Sequence, residues 1–239
     1  MPLPTIVTDM FRRVETLTLI AILFVVGAIW AFAVLAGRVV NGDPYAFDTA
    51  ILLALRQPED LSNSIGGPKI AEMMRDFTGL GSAPVLTLIA FAVLVFLILR
   101  RQPATALFLA VAIVGGQALG HLAKSSFARP RPDIVPHFVD AVSASFPSGH
   151  SMMAAVTYLT LGVMLARTER KFRMRAFYIS LAVVLSFLVG ISRLFLGVHW
   201  PTDVLAGWTL GAAWALGVWL VARMMARHGQ IETSFRADQ

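Results

Sequence analysis

Residues able to do chemistry fall in three short blocks: Lys124 to Pro132, Pro147 to His150, and Ser192 to Asp203. Lys124, Arg131 and Arg193 supply fixed positive charge, and a guanidinium fork matches phosphate oxygens in bidentate geometry, so these side chains ask for a dianion. Pro147-Ser148-Gly149 stands just before an apolar run and reads as a helix N-cap. The free N–H groups and positive dipole end of such a helix make an anion site, and Gly149 lets the backbone come close. His199 and Asp203 are four residues apart, with Pro201 suited to a first helical turn. A carboxylate so placed reaches back to one imidazole nitrogen, fixes the tautomer and frees the other nitrogen to attack phosphorus. His150 then suits the far side of the phosphoryl group, giving a proton to the leaving alkoxide and afterwards activating water.

The elements that position these blocks cross a membrane. The chain has 239 residues, 57% of them hydrophobic and only 14% charged, and its mean hydropathy is +0.72, which is outside the soluble globular range. It has no cysteine, which excludes disulfides, thiolate metal sites and cysteine nucleophiles. The net charge of +6 comes from short basic blocks between apolar runs, a pattern of membrane topology and not of nucleic-acid binding.

Leu17 to Gly37 runs for 21 residues without a charge, enough to span the ~30 Å hydrocarbon core and longer than the h-region of a cleaved signal peptide. Further spans are expected at Ala83 to Leu99, Ala104 to Ala123, Met152 to Ala166, Ala176 to Ile191 and Val204 to Ala222. The fourth and fifth are short and need a turn from their flanks. Residues 38–81 form the longest connection, in which Ile70, Met73, Met74 and Phe77 recur at helical spacing after a Gly66-Gly67-Pro68 breaker. This amphipathic helix lies either on the membrane surface or on the rim of the bundle. Residues 124–149 read as an irregular proline-rich loop.

The expected architecture is therefore all-α: one polytopic domain, 1–239, with six transmembrane helices. Residues 1–16 form a lead and 223–239 a tail, polar and frayed from 228 onward. Six spans put both termini on one side. Alternating assignment gives that side twelve Lys or Arg and the other eight, so the termini are cytoplasmic by the positive-inside rule. All three blocks then share the outward, periplasmic or extracellular, side of an inner or plasma membrane.

The spacing Lys124-x6-Arg131-Pro132, then Pro147-Ser148-Gly149-His150, then Ser192-Arg193-x5-His199-x3-Asp203 resembles the three-part signature of the type 2 phosphatidic acid phosphatase superfamily. The match extends to all eleven signature residues, and the six spans are similar to its bacterial integral-membrane branch. The resemblance implies His199 as nucleophile, Asp203 as its partner and His150 as acid and base. It implies Lys124, Arg131, Ser148, Gly149 and Arg193 as the phosphate holders, with no cofactor and no catalytic metal. The implied activity is hydrolysis of a lipid phosphate or pyrophosphate through a phosphohistidine. Phosphatidylglycerophosphate, undecaprenyl pyrophosphate, phosphatidic acid and lipid A 1-phosphate are the candidate substrates, presented by the lipid bilayer.

Each block has a plainer reading. Pro-Ser-Gly-His is also an ordinary helix start, and a single cation at a span end also serves to snorkel to headgroups. Ser192 is read as support for its neighbours, Arg129 as part of the loop structure, and His121 as a satisfied buried histidine. Asp133, His137 and Asp140 are read as solvated loop residues. A metal site built on His137, His150 and His199 is disfavoured because three cations at one point repel a divalent ion. A phosphotransferase would use the same residues. An anionic-lipid transporter or binding protein is disfavoured because the ionisable groups gather at span ends and no repeat is visible.

Overall fold

Proline in the first turn opens half of the helices, and long apolar runs set their length in most. A computed structural model of the chain describes residues 5–42, 45–141 and 143–227. Helix α1 (Thr5–Asn41) is followed by the short α2 (Ala46–Ala54), an antiparallel pair of strands β1 (Arg56–Gln57) and β2 (Asp60–Ser64), and α3 (Gly67–Gly79). Then come α4 (Ala83–Leu99), α5 (Pro103–Ser126), α6 (Gly149–Thr168), α7 (Phe172–Phe195) and α8 (Pro201–Arg227). Pro68, Pro84, Pro103 and Pro201 occupy the starts of α3, α4, α5 and α8, where the missing N–H costs nothing and φ is already helical.

Among the described residues, α1, α5, α6, α7 and α8 are long and apolar enough to cross a membrane. Helix α4 has 17 residues, and together with α3, from which it bends by 42°, it makes a sixth candidate span. The short fourth and fifth apolar runs do borrow from their flanks: α6 has 20 residues and α7 has 24. The outer faces of the helices remain apolar and uncovered, with Trp30, Leu88 and Val114 each 67–69% exposed; an apolar surface this extensive belongs against lipid. The polar tail expected at 228–239 lies outside the described residues.

Helix α6 is central, packed on α7, α8 and α5, while α1 lies along α8. Gly207 and Gly211 let α8 close on α6: a Cβ at Gly207 would stand 2.7 Å from the Ser148 carbonyl oxygen, and one at Gly211 2.6 Å from that of Met152. This is the small-xxx-small packing that membrane helices use in place of a hydrophobic driving force. The loop between α5 and α6 is irregular, as its prolines require, and is pinned by aromatic packing. Phe146 is fully buried, stacked on Phe32 of α1 at 5.8 Å and edge-on to Phe127 at 5.0 Å.

The 38–81 connection folds onto the same end of the bundle. Helix α3 packs against α7 with Ala71 and Thr78 buried and Met73 exposed, so its inner face meets the rim of the bundle. Arg56, which carried no signal in the sequence, is 2% exposed. It donates to the Phe195 carbonyl at the end of α7 (3.0 Å), and its guanidinium stands over the Phe138 ring at 4.9 Å. Gly197 follows in the left-handed region with φ 76°. A Cβ there would lie 2.8 Å from the Arg56 Nη2 atom and 2.7 Å from the Pro136 carbonyl, so both conformation and space demand glycine.

Candidate active site

The ends of α5, α7 and the starts of α6 and α8 converge, and the three sequence blocks meet there. The start of α8 is organised first. Pro201 opens the helix, and Asp203 Oδ2 reaches back to the Trp200 N–H at 2.9 Å, half of a capping box. The same oxygen accepts from the Ser145 hydroxyl and faces His199 Nδ1 at 3.4 Å, long for a hydrogen bond. Both members of the pair are at most 2% exposed.

The tautomer of His199 follows from its neighbours. Arg131 Nη1 lies 3.2 Å from Nε2, and a guanidinium can only donate, while a carboxylate can only accept. Nε2 therefore offers its lone pair and Nδ1 carries the proton toward Asp203. Burial holds the His199 ring down at about 4, outweighing the pull of Asp203 in the other direction. The ring is neutral at physiological pH, the form a nucleophile needs.

Around Nε2 the surroundings are cationic. Arg131 is fixed by neutral oxygens: its Nε donates to the Ser143 carbonyl (2.9 Å) and its Nη1 to the Val198 carbonyl (2.6 Å). Arg193 is 5% exposed and donates through Nη1 to the Thr78 hydroxyl at 2.9 Å. Lys124 Nζ stands 3.9 Å from where a Gly149 Cβ would be, so the ammonium hangs over the first turn of α6. His150 lies within electrostatic reach of Arg193, His199, Lys124 and Arg131. The first-turn N–H groups of a helix have no partner within it. Ser148 takes the N-cap position of α6, but its hydroxyl makes no capping bond; it accepts from Ser151 at 2.9 Å and keeps its own proton to donate. Three cations, a helix N-terminus and a hydroxyl around one imidazole lone pair suit a phosphoryl group.

A family model described as the PAP2 superfamily matches residues 105–227. The chain belongs to the PAP2 superfamily. Among curated proteins, phosphatidylglycerophosphatase B of Bacillus subtilis is 35% identical over 149 residues, 60% of this chain and 71% of that one. Undecaprenyl-diphosphatase of Sulfolobus acidocaldarius is 32% identical over 121 residues, 48% of this chain and 54%, about half, of that one. Among solved structures, that of a transmembrane PAP2-type phosphatidylglycerolphosphate phosphatase from Bacillus subtilis aligns with a TM-score of 0.70 at 29% identity, covering 84% of this chain and 96% of that one. The PAP2 match begins at residue 105, so α1 to α4 lie outside it.

All eight residues expected to form the site, Lys124, Arg131, Ser148, Gly149, His150, Arg193, His199 and Asp203, are brought to this end of the bundle. Ser192 is fully buried, and its hydroxyl donates to the Val189 carbonyl one turn back in α7 at 2.7 Å. His137 bonds the Pro132 carbonyl at 2.7 Å, and Asp133 and Asp140 are exposed, so these three are loop residues. His121 corrects its expectation of burial. It is exposed on the outer face of α5, paired with Gln117 one turn away at 3.0 Å, because no described residue covers that face of the helix.

Arg129 proves more than loop structure, and its partner Asp48 was not foreseen at all. Arg129 donates to Asp203 Oδ1 at 2.6 Å and Asp48 Oδ2 at 2.8 Å. Asp48, fully buried in α2, also accepts from the Thr202 N–H at 2.9 Å and the Thr202 hydroxyl at 2.7 Å. It thereby caps α8 from a distance and holds the helix turn that bears Asp203.

Proposed function

We propose that this chain hydrolyses a lipid phosphate or pyrophosphate through a phosphohistidine formed on His199. Family membership, together with relatives named as phosphatidylglycerophosphatase B and undecaprenyl-diphosphatase, makes the chain a membrane lipid phosphatase. The observation that carries the mechanism is the neutral His199 whose Nε2 lone pair faces the Arg131 guanidinium, with Lys124, Arg193 and the first turn of α6 at the same end of the bundle.

In this reading the phosphoryl group sits among the three cations, the Ser148 hydroxyl and the α6 N–H groups, which stabilise charge spreading over its equatorial oxygens. The Nε2 lone pair of His199 attacks phosphorus while the bond to the lipid oxygen breaks. His150 gives its proton to that oxygen; the negative charge of bound phosphate favours the protonated imidazole needed for this step. Asp203 stabilises the charge developing on the His199 ring. Water then attacks phosphorus, passing a proton to His150, and the P–N bond breaks to release inorganic phosphate and restore neutral His199. With a pyrophosphate substrate the first leaving group is a lipid monophosphate.

We further place this site on the outward face of the inner or plasma membrane, supported by the distribution of Lys and Arg between alternate loops. Substrates there belong to the set phosphatidylglycerophosphate, undecaprenyl pyrophosphate, phosphatidic acid and lipid A 1-phosphate. His199→Ala is expected to abolish phosphate release from every one of these lipids, and rapid quench of the unaltered protein with labelled substrate is expected to trap label on His199. Undiminished turnover by the variant ends the phosphohistidine mechanism.

A further inference from the structure

Thr78 lies outside the span matched to the family and outside all three sequence blocks, yet it touches the candidate phosphate site. Its hydroxyl oxygen accepts from Arg193 Nη1 at 2.9 Å in a buried contact, and the two residues are 9% and 5% exposed. Arg193 Nε is buried and has no partner among the described residues. Arg193 is thus tethered at one terminal nitrogen and unsatisfied at Nε, an orphaned buried donor that asks for a ligand acceptor.

The chain around Thr78 is built to hold that tether. Residues 80–82 turn from α3 into α4. The Tyr158 hydroxyl of α6 donates to the Leu80 carbonyl at 2.7 Å, and the Gly81 N–H donates to the Thr78 carbonyl at 3.0 Å. A Cβ at Gly81 would overlap Val189 of α7 at 2.3 Å and stand 3.3 Å from the His150 carbonyl, so the turn is seated against the two helices that bear His150 and Arg193. Its place is fixed independently of the Thr78 contact itself.

The chemistry of the tether matters as much as its position. Arg129, held by the carboxylates of Asp48 and Asp203, has its charge matched within the protein. Arg193 is held by a neutral hydroxyl, which orients the guanidinium while leaving its full charge for an anion. We infer that Thr78 is a positioning residue: it presents Arg193 to the substrate phosphate, and through it the α3 segment completes the site. This rests on the reading of Arg193 as a phosphate holder.

The experiment uses the purified full-length chain in detergent, measuring both turnover of a lipid phosphate and direct binding of inorganic phosphate. Loss of a hydrogen bond to a charged group predicts that Thr78→Val weakens phosphate binding about tenfold or more, with kcat/KM falling in parallel. Thr78→Ser, which keeps the acceptor, restores most of the affinity. Thr78→Asp, which keeps an acceptor but neutralises Arg193, binds phosphate more weakly than Thr78→Val. In an Arg193→Ala background the Val substitution has no further effect. Phosphate affinity within twofold of the unaltered protein in Thr78→Val, an equal loss in the Arg193→Ala background, or a chain that does not bind phosphate at all would overturn the assignment. Failure of the phosphatase reading shows separately, as no phosphate release from any lipid, and leaves the binding comparison to decide on Thr78.

Discussion

Arg129 and Arg131 are two positions apart in one Arg-Pro-Arg-Pro run, and their surroundings give them different parts. Arg129 spans two buried carboxylates, so removing it strands both Asp48 and Asp203, a loss worth about 3–5 kcal/mol for buried pairs of this kind. Arg131 bonds carbonyl and hydroxyl oxygens and reaches His199 Nε2, so its charge stays available at the site. The same local environment sets the pH behaviour of His199. Burial disfavours the imidazolium and holds the ring at about 4, with the charges of Arg193 and Arg131 acting in the same direction and Asp203 opposing. A lowered value means that the neutral form, which the proposed attack uses, persists as pH falls, and is lost only as pH passes down through that value. After correction for the second ionisation of the substrate phosphate, near pH ~6, kcat/KM should therefore show no fall on the acid side from His199 above pH ~5. A corrected acid limb near the ordinary histidine range would contradict the buried geometry.

Helix pairs deliver these side chains, and glycines bring α8 close against α6. Asp203 sits in the first turn of α8, and its backbone carbonyl accepts from the Ser148 N–H at 3.0 Å. One turn further on, Gly207 stands against the Ser148 carbonyl. A methyl group at Gly207 must push α8 away from the very turn of α6 that carries Ser148, Gly149 and His150. Gly207→Ala should cost about 1–3 kcal/mol by overpacking and lower kcat/KM at least tenfold, read as thermal unfolding in detergent and phosphate release. Thermal stability and turnover both unchanged would mean that the two helices separate without disturbing the site.

For the molecule as a whole, the site lies at one end of the bundle, the end reached by the last turns of α5 and α7 and the first turns of α6 and α8. The turn between α4 and α5 (Arg100, Arg101) and the connection from α6 to α7 (Glu169, Arg170, Lys171) occupy the opposite end. The chain contains no cysteine, so single cysteines can be placed without first removing any. Asp140→Cys in the site-side loop should react with a membrane-impermeant maleimide in intact cells, whereas Glu169→Cys should react only after the membrane is broken. The reverse pattern would turn the protein over and put its substrates on the cytoplasmic leaflet.

What could be read from the chain is what depends on neighbours in sequence. Hydropathy marked the apolar helices, and Ala83 to Leu99 coincides with α4 residue for residue. Helical periodicity found α3 but left open whether it lay on the membrane or on the bundle. His199 and Asp203 were legible as a pair because four residues make about one helical turn, which brings the two side chains to one face. The remaining polar contacts of the site had no local signature. Asp48 meets Thr202 across 154 positions, Arg56 meets Phe195 across 139, and Arg193 meets Thr78 across 115. A buried charge must find acceptors wherever packing brings them, and which carboxylate, carbonyl or hydroxyl that is follows from how the helices close. The sequence by itself determined the polar blocks and the apolar helices that frame them; the tertiary structure decided which cations are matched by carboxylates within the protein and which bond only neutral groups.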